Sequence, residues 1–467
     1  MPFISADYEV EQTFSIPCPG FNVKLSHWDR TFVPYHTKRI LFFQLDVDED
    51  RAKITKQLHA AFHNTVQKLP FLAGSIVPFT TEEGGRPWLR NLIPKGAAHL
   101  VVKDLSADLS YTKLEAANFS QSLLDTDKLC PLPQVAYVQE EPVDVCRFQA
   151  NFVEGGLLLV ASVIHIVCDG NGVTQTIRIF ADFFRQATRD IQLQPPRGQD
   201  DVYTSDRTKI VNGGGAVGCI DLHPAWTSST INTHSQLSDV QTSCKTYRID
   251  VGMLDALKQA ASKLTPKGEW ISTNDAISGL IWRSIVLARR RAGILKDQNK
   301  EAYITQPVDC RSLIKLSQPY FGNALYMTQA TLDVDVLADE ETGISAAAQC
   351  IRASLAGVTG DRFRDLVGYV ERTSQDSQTR LKVVEFLDTS GIILTSHFKF
   401  PMHEIDFGSA LGRLKALRLP AKGMMTGAVM VMPKLPDGSC EFLITEADVT
   451  VASLGQDAVF AGFTHEV

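Results

Sequence analysis

Residues Leu157 to Gly172 read LLLVASVIHIVCDGNG. A long apolar run carries one titratable ring, His165, and then breaks into a turn at Asp169-Gly170-Asn171-Gly172. Upstream, Gly155-Gly156 marks a turn in "NFVEGGLLLVASVIHIV", so the run reads as one arm of a β-hairpin. Downstream, "GVTQTIRIFADFFRQATRDI" has the apolar spacing of an amphipathic helix. A histidine within a strand is ordinarily a satisfied core residue. Here it stands at the strand's end, before a tight turn and a helix, where α/β proteins place functional groups.

The same pattern extends outward. "KRILFFQLDVD" (Lys38–Asp48) predicts a strand, and "EDRAKITKQLHAAFHNTVQKLP" a helix ended by Pro70. "HLVVKDL" and "LPQVAYVQE" predict further strands. From about residue 192 the chain becomes rich in Gly, Pro, Ser and Thr, which reads as a linker. Strand and helix patterns resume with "CKTYRID", "VGMLDALKQAASKL" and "STNDAISGLIWRSIVLARRRAG". Alternation in both halves predicts an α/β protein of two lobes: residues 1–191, a crossover over 192–245, and residues 246–467.

Bulk properties narrow the class. The 467 residues carry 46 Lys and Arg against 53 Asp and Glu, a net charge of −7, which argues against a dedicated nucleic-acid binder. The nine cysteines are scattered and never spaced CxxC, which favours reduced thiols over disulfides or a zinc ribbon; no metal is expected. "MPFISADYEVEQTF" lacks the features of a signal peptide, and no run approaches the roughly 18 apolar residues that span a bilayer. A soluble, cytoplasmic, monomeric protein with no membrane partner is expected. "GGGAVG" (Gly213–Gly218) spells GxGxxG but lacks the required strand before it and helix after it. The basic triplet Arg289–Arg291 reads as a solvated helix C-terminus.

The segment His165-Ile166-Val167-Cys168-Asp169-Gly170 resembles the HxxxDG signature of CoA-dependent BAHD-type acyltransferases. Three further blocks agree in order: "STNDAISGLIWRSI", "VDCRSL…QPYFGNALY" and "SHFKFPMHEIDFGSALG". The last of these and "LSHWDRTFVPYHTKRILFF" are more similar to the fungal secondary-metabolite branch than to plant members. The resemblance implies two lobes of the chloramphenicol-acetyltransferase kind, each a mixed sheet flanked by helices, with the active site in a channel between them. It implies acyl transfer from acyl-CoA, a co-substrate rather than a bound cofactor, to a small-molecule acceptor.

That chemistry suits the residues. A thioester is already activated, so no covalent nucleophile is needed, and a neutral imidazole can take the acceptor's proton near pH 7. The resemblance thus implies His165 as general base. It pairs Asp169 with Arg311 across the lobes, Asp169 as a bare turn cap being the alternative. It gives Gly170, Asp406 and Gly408 structural roles and places Asn323 near the site, a turn residue being the alternative there. Lys258, Ser272 and Thr273 are candidates for CoA contacts, Phe32 and Tyr35 for the acceptor side.

Departures from the pattern are visible too. Ser409-Ala410 replaces the usual Trp-Gly, and His397 stands where Trp is common, so His397 is a candidate substrate contact or oxyanion donor. Ala324, in place of the Cys of malonyl-transferring members, favours an acetyl or other neutral acyl group. Cys168 as a nucleophile, a carrier-protein-bound donor, and a non-catalytic binding role are the readings set against this one.

Overall fold

The computed structural model describes residues 11–78 (except 33 and 47), 90–131, 142–189, 205–210, 218–229, 241–316, 320–374, 376–422 and 424–467. The predicted strand "LPQVAYVQE" and most of "GGGAVG" lie outside the described residues.

Two mixed sheets organise the chain. The first has six strands in the spatial order Glu11–Pro17, Ala97–Asp104, Cys146–Val153, Gly156–Ile164, His36–Gln44 and Ala416–Arg418. The second has seven: Leu325–Asp333, Glu301–Asp309, Gly391–Ser396, Ala428–Val431, Cys440–Ala447, Thr242–Ile249 and His465–Glu466. Ala97–Asp104 pairs in parallel with Cys146–Val153, and Gly391–Ser396 with both its neighbours; the other pairs in the two sheets are antiparallel.

The hairpin read around Gly155 is present, and Gly155 turns it with φ +71°. Its second arm is apolar without alternation because both faces are covered. Leu157, Leu159, Ala161 and Val163 face the main core with the helices Arg51–Lys68 and Gly170–Thr188. Leu158 and Val160 face a smaller core with Tyr111, Leu114 and Phe119. At about 25 cal/mol per Å² of apolar area buried, such a doubly covered strand is a major contributor to the lobe's stability.

Three expectations need correction. The last strand of the first sheet, Ala416–Arg418, comes from the second half of the chain and pairs with Ile40–Phe42 of the first. A division at residue 246 therefore separates strands that share a sheet. The described parts of 192–245 are not a bare linker: Arg207, His223 and Trp226 are buried, Trp226–Ser229 pairs with Gln378–Leu381, and Thr242–Ile249 is a strand of the second sheet. Arg289 is not solvated. It is fully buried on the helix Thr273–Arg291, bonds both carboxylate oxygens of Glu446, and donates to the carbonyls of Leu387, Thr389 and Gly391. The next two residues, Arg290 and Arg291, are exposed at the helix end as expected, so the correction concerns Arg289 alone.

Candidate active site

The strand Gly156–Ile164 delivers His165 at its end, where the backbone N–H of His165 donates to Tyr35 O at 2.8 Å. The ring stacks on Phe32, with centroids 5.2 Å apart and planes 9° from parallel, and meets Tyr35 at 5.1 Å. Nδ1 is buried and makes no hydrogen bond among the described residues, with Asn323 close to the ring. Burial holds the imidazole below its ordinary pKa, with the Asp169 charge acting the other way. A neutral ring is therefore the resting form at pH 7.

Asp169 caps the helix Gly170–Thr188, accepting from the N–H groups of Asn171 at 3.1 Å and Gly172 at 3.3 Å. Its carboxylate also meets Arg311 twice, Nη2–Oδ1 at 3.0 Å and Nη1–Oδ2 at 2.9 Å, and accepts from Ala324 N at 3.2 Å. Both side chains are fully buried. Arg311 additionally donates to the carbonyls of Tyr320 and Gly322 and to Asp309, so one guanidinium gathers the 320–322 loop onto the turn after His165. The bidentate fork is the geometry that arginine, and not lysine, provides.

A second buried set lies beside it. Asn323 Nδ2 donates to the carbonyls of His165 at 3.1 Å and Ile166 at 3.3 Å, and to Asp29 Oδ1 at 3.0 Å. Asp29 also accepts from Ser26, and Arg207 joins Asp29 (3.5 Å) to the carbonyl of Val167 (2.7 Å). The sequence by itself does not mark Asp29, Arg207 or Arg39 as site residues. A lone carboxylate between Trp28 and Phe32 in "HWDRTF" was the one available signal for Asp29. Arg207 sits in a stretch whose composition read as linker.

The remaining candidates fall in different places. His397 stacks on Phe400 (centroids 4.6 Å, 11°), its ring nitrogens lie 3.1 and 3.4 Å from Arg39 Nη2, and burial keeps it well below its ordinary pKa. Gly170 is required by this approach: a Cβ there would stand 2.9 Å from His397 Nε2. Asp406 and Gly408 form a turn apart from the imidazole. Asp406 Oδ1 accepts from Gly408 N at 2.8 Å, Gly408 takes φ +83°, and Phe407 packs against Phe43. Ser272 caps the helix Thr273–Arg291 in a reciprocal box with Asp275, which commits its hydroxyl. Thr273 opens the same helix. Lys258 is exposed on the helix Val251–Ala261, and among the described residues no hydrogen bond or ion pair joins it to the His165 cluster. Cys168 is fully buried, and burial pushes its thiol far above the ordinary range, which leaves no thiolate. No group of His, Cys, Asp and Glu among the described residues is arranged to hold a metal ion.

Two mixed sheets with an imidazole at their junction, pinned by a buried aspartate–arginine pair, define a class. The Transferase family model matches residues 15–451, and the chain belongs to this family, that of the BAHD acyltransferases. A protein of Penicillium crustosum named Enoyl-CoA isomerase/hydratase claC is 53% identical over 461 residues, 98% of this chain and 52% of that protein. The chain thus spans about half the length of that relative. Trichothecene 3-O-acetyltransferase TRI101 of Fusarium sporotrichioides is 25% identical, over 90% of this chain and 92% of the relative. Among solved structures, F. graminearum TRI101 complexed with ethyl coenzyme A superposes with TM-score 0.81 at 20% identity, covering 97% of this chain and all of that one. At that identity the likeness is one of fold.

Proposed function

We propose that the protein is an acyl-CoA-dependent acyltransferase that moves an acyl group, acetyl in the first instance, to a hydroxyl or amine of a small secondary metabolite. The observation that carries this reading is the imidazole itself. Burial keeps the ring of His165 neutral and encloses its Nδ1, while the residue as a whole is only half-buried, and we assign substrate contact to the other nitrogen, Nε2. Nε2 takes the proton of the acceptor as its oxygen or nitrogen attacks the thioester carbonyl. The imidazolium then returns that proton to the departing CoA thiolate. Asp169 and Arg311 act on the position of the ring rather than on the proton, since their atoms are spent on each other and on backbone groups. Asn323 holds the carbonyls of His165 and Ile166 and so fixes the peptide that carries the ring. Phe32 and Tyr35 border the acceptor side, and His397 faces the reacting centre. No acyl-enzyme forms, in keeping with the protonated Cys168. We further propose that it works as a cytoplasmic monomer; no helix among the described residues is long and apolar enough to cross a membrane.

The name of the Penicillium crustosum relative favours one other reading, an enoyl-CoA bound in the same site and hydrated or isomerised. Because this chain spans about half of that protein, the named activity has another half in which to reside. One experiment separates the two. The protein is incubated with acetyl-CoA and a metabolite extract, and separately with crotonyl-CoA. Acyl transfer predicts a His165-dependent product heavier by one acetyl group and no loss of the enoyl absorbance. His165-dependent loss of that absorbance, without acetylated product, would replace the proposal by the second reading.

A further inference from the structure

Six arginines are buried among the described residues: Arg39, Arg207, Arg283, Arg289, Arg311 and Arg418. Five have a carboxylate within 4.0 Å, namely Asp29, Asp457, Glu446, Asp169 and Glu441 respectively for the last five. Arg39 has none among the described residues. Its guanidinium donates to the carbonyl of Lys38 at 2.8 Å and meets the ring nitrogens of His397. Both are uncharged partners, because burial and the arginine itself keep His397 unprotonated. Taking a cation out of water without a counter-charge is costly, and proteins ordinarily pair such groups.

The location gives the exception a meaning. Arg39 lies on the strand His36–Gln44, opposite Ala161 and so four residues from the imidazole on the neighbouring strand. Its charge is felt by His165, Tyr35 and His397, the groups that surround the reacting centre. The nearby carboxylates are taken: Asp169 by Arg311 and Asp29 by Arg207 and Asn323. Among the described residues Arg39 therefore carries a positive charge with no carboxylate partner, in contact with His397 and on the strand beside the one that ends at His165.

We propose that Arg39 binds a carboxylate carried by one of the two substrates. This rests on the acyltransferase reading and names its substrate class. A planar guanidinium pairs with a carboxylate through two parallel hydrogen bonds, and one cation is neutralised by one negative charge. A phosphate would bring close to two. The carboxylate belongs either to an acidic acceptor, which agrees with the neutral acyl group that Ala324 favours, or to a dicarboxylic acyl-CoA, which would replace that expectation.

Calorimetric titration tests this on wild-type protein, Arg39→Gln and Arg39→Met. The donor arm compares acetyl-CoA with malonyl-CoA. The acceptor arm compares 3-hydroxybenzoate with its methyl ester on CoA-loaded protein. In one arm the acid binds wild type roughly tenfold or more tightly than its neutral counterpart, and both variants lose that preference. The arm that shows it identifies the source. Arg39→Met fills a similar volume without the stranded charge and melts no lower than wild type, which keeps the comparison measurable. Equal affinities in both arms of wild type overturn the proposal, as does a preference that survives either substitution. Failure of acetyl-CoA to bind at all counts against the acyltransferase reading, while acid preference in the acceptor arm decides Arg39 separately.

Discussion

Asp169 and Arg311 offer the sharpest test of how the turn after His165 is held. Asp169→Asn keeps the volume and an acceptor for the Asn171 and Gly172 N–H groups but removes the charge. Arg311 is then left buried with Asp309 at 3.1 Å and the carbonyls of Tyr320 and Gly322. Arg311→Gln leaves Asp169 with three backbone N–H donors and the helix N-terminus. Removing one partner of a buried pair costs about 3–5 kcal/mol, and the residual partners on each side put both single losses near 3. The double variant strands no charge, so it should recover about 2 kcal/mol relative to the sum of the singles. The assay is a double-mutant cycle on unfolding free energies from urea titration, with kcat/KM measured alongside. Activity should fall in both singles because the loop 320–322 and the turn bearing the imidazole separate. Additivity within about 0.5 kcal/mol would refute the reasoning, since it would mean that the contact carries no coupling energy.

Three further outcomes follow from the same geometry. His165→Ala should lower kcat by about 10²–10⁴ with the fold intact, measured by steady-state kinetics and circular dichroism; activity within threefold of wild type would remove it as general base. Cys168→Ala should keep most activity, and labelled acetyl-CoA alone should leave no label on the protein, since its thiol is buried and protonated; a stable adduct on Cys168 would establish a two-step route. His36, held at about 4 by burial in the strand beside His165, binds its proton in the unfolded chain near pH 6.5 but not in the folded one. The unfolded state thus takes up more protons between those values, and stability should fall as pH drops from 6.5 towards 4, by about 3 kcal/mol for this residue. His36→Gln should flatten that slope in urea titrations across the range; an unchanged slope would assign it to other groups.

Much of this is legible in the residues alone. The hairpin at Gly155, the helix after Asp169 and the helix Thr273–Arg291 were readable because period and turn chemistry are local. The positions of His165 and Asp169 at the end of a strand and the start of a helix came from the same few residues. The resemblance of four short blocks supplied the family and paired Asp169 with Arg311 across 142 positions, a pairing no local signal contains.

Other features were settled only by the tertiary fold. Ala416–Arg418 joins the first sheet because its edge beside His36–Gln44 needs backbone partners, and three residues are too few to declare a strand or its destination. Arg289 looked like a solvated helix end because its neighbours in sequence are basic, whereas its environment is made by Glu446 and by carbonyls about 100 residues away. Asn323 and Arg207 donate to the carbonyls around His165 and Asp29 accepts from both, so three distant segments meet there, two of them poor in pattern. Periodicity records which face of an element is buried, but not which distant charge lies against it. That is why the sequence by itself determined the class of protein and pointed to His165 as its candidate imidazole, and the packing of distant segments decided how that ring is held and that Arg39, on the neighbouring strand, has no carboxylate partner among the described residues.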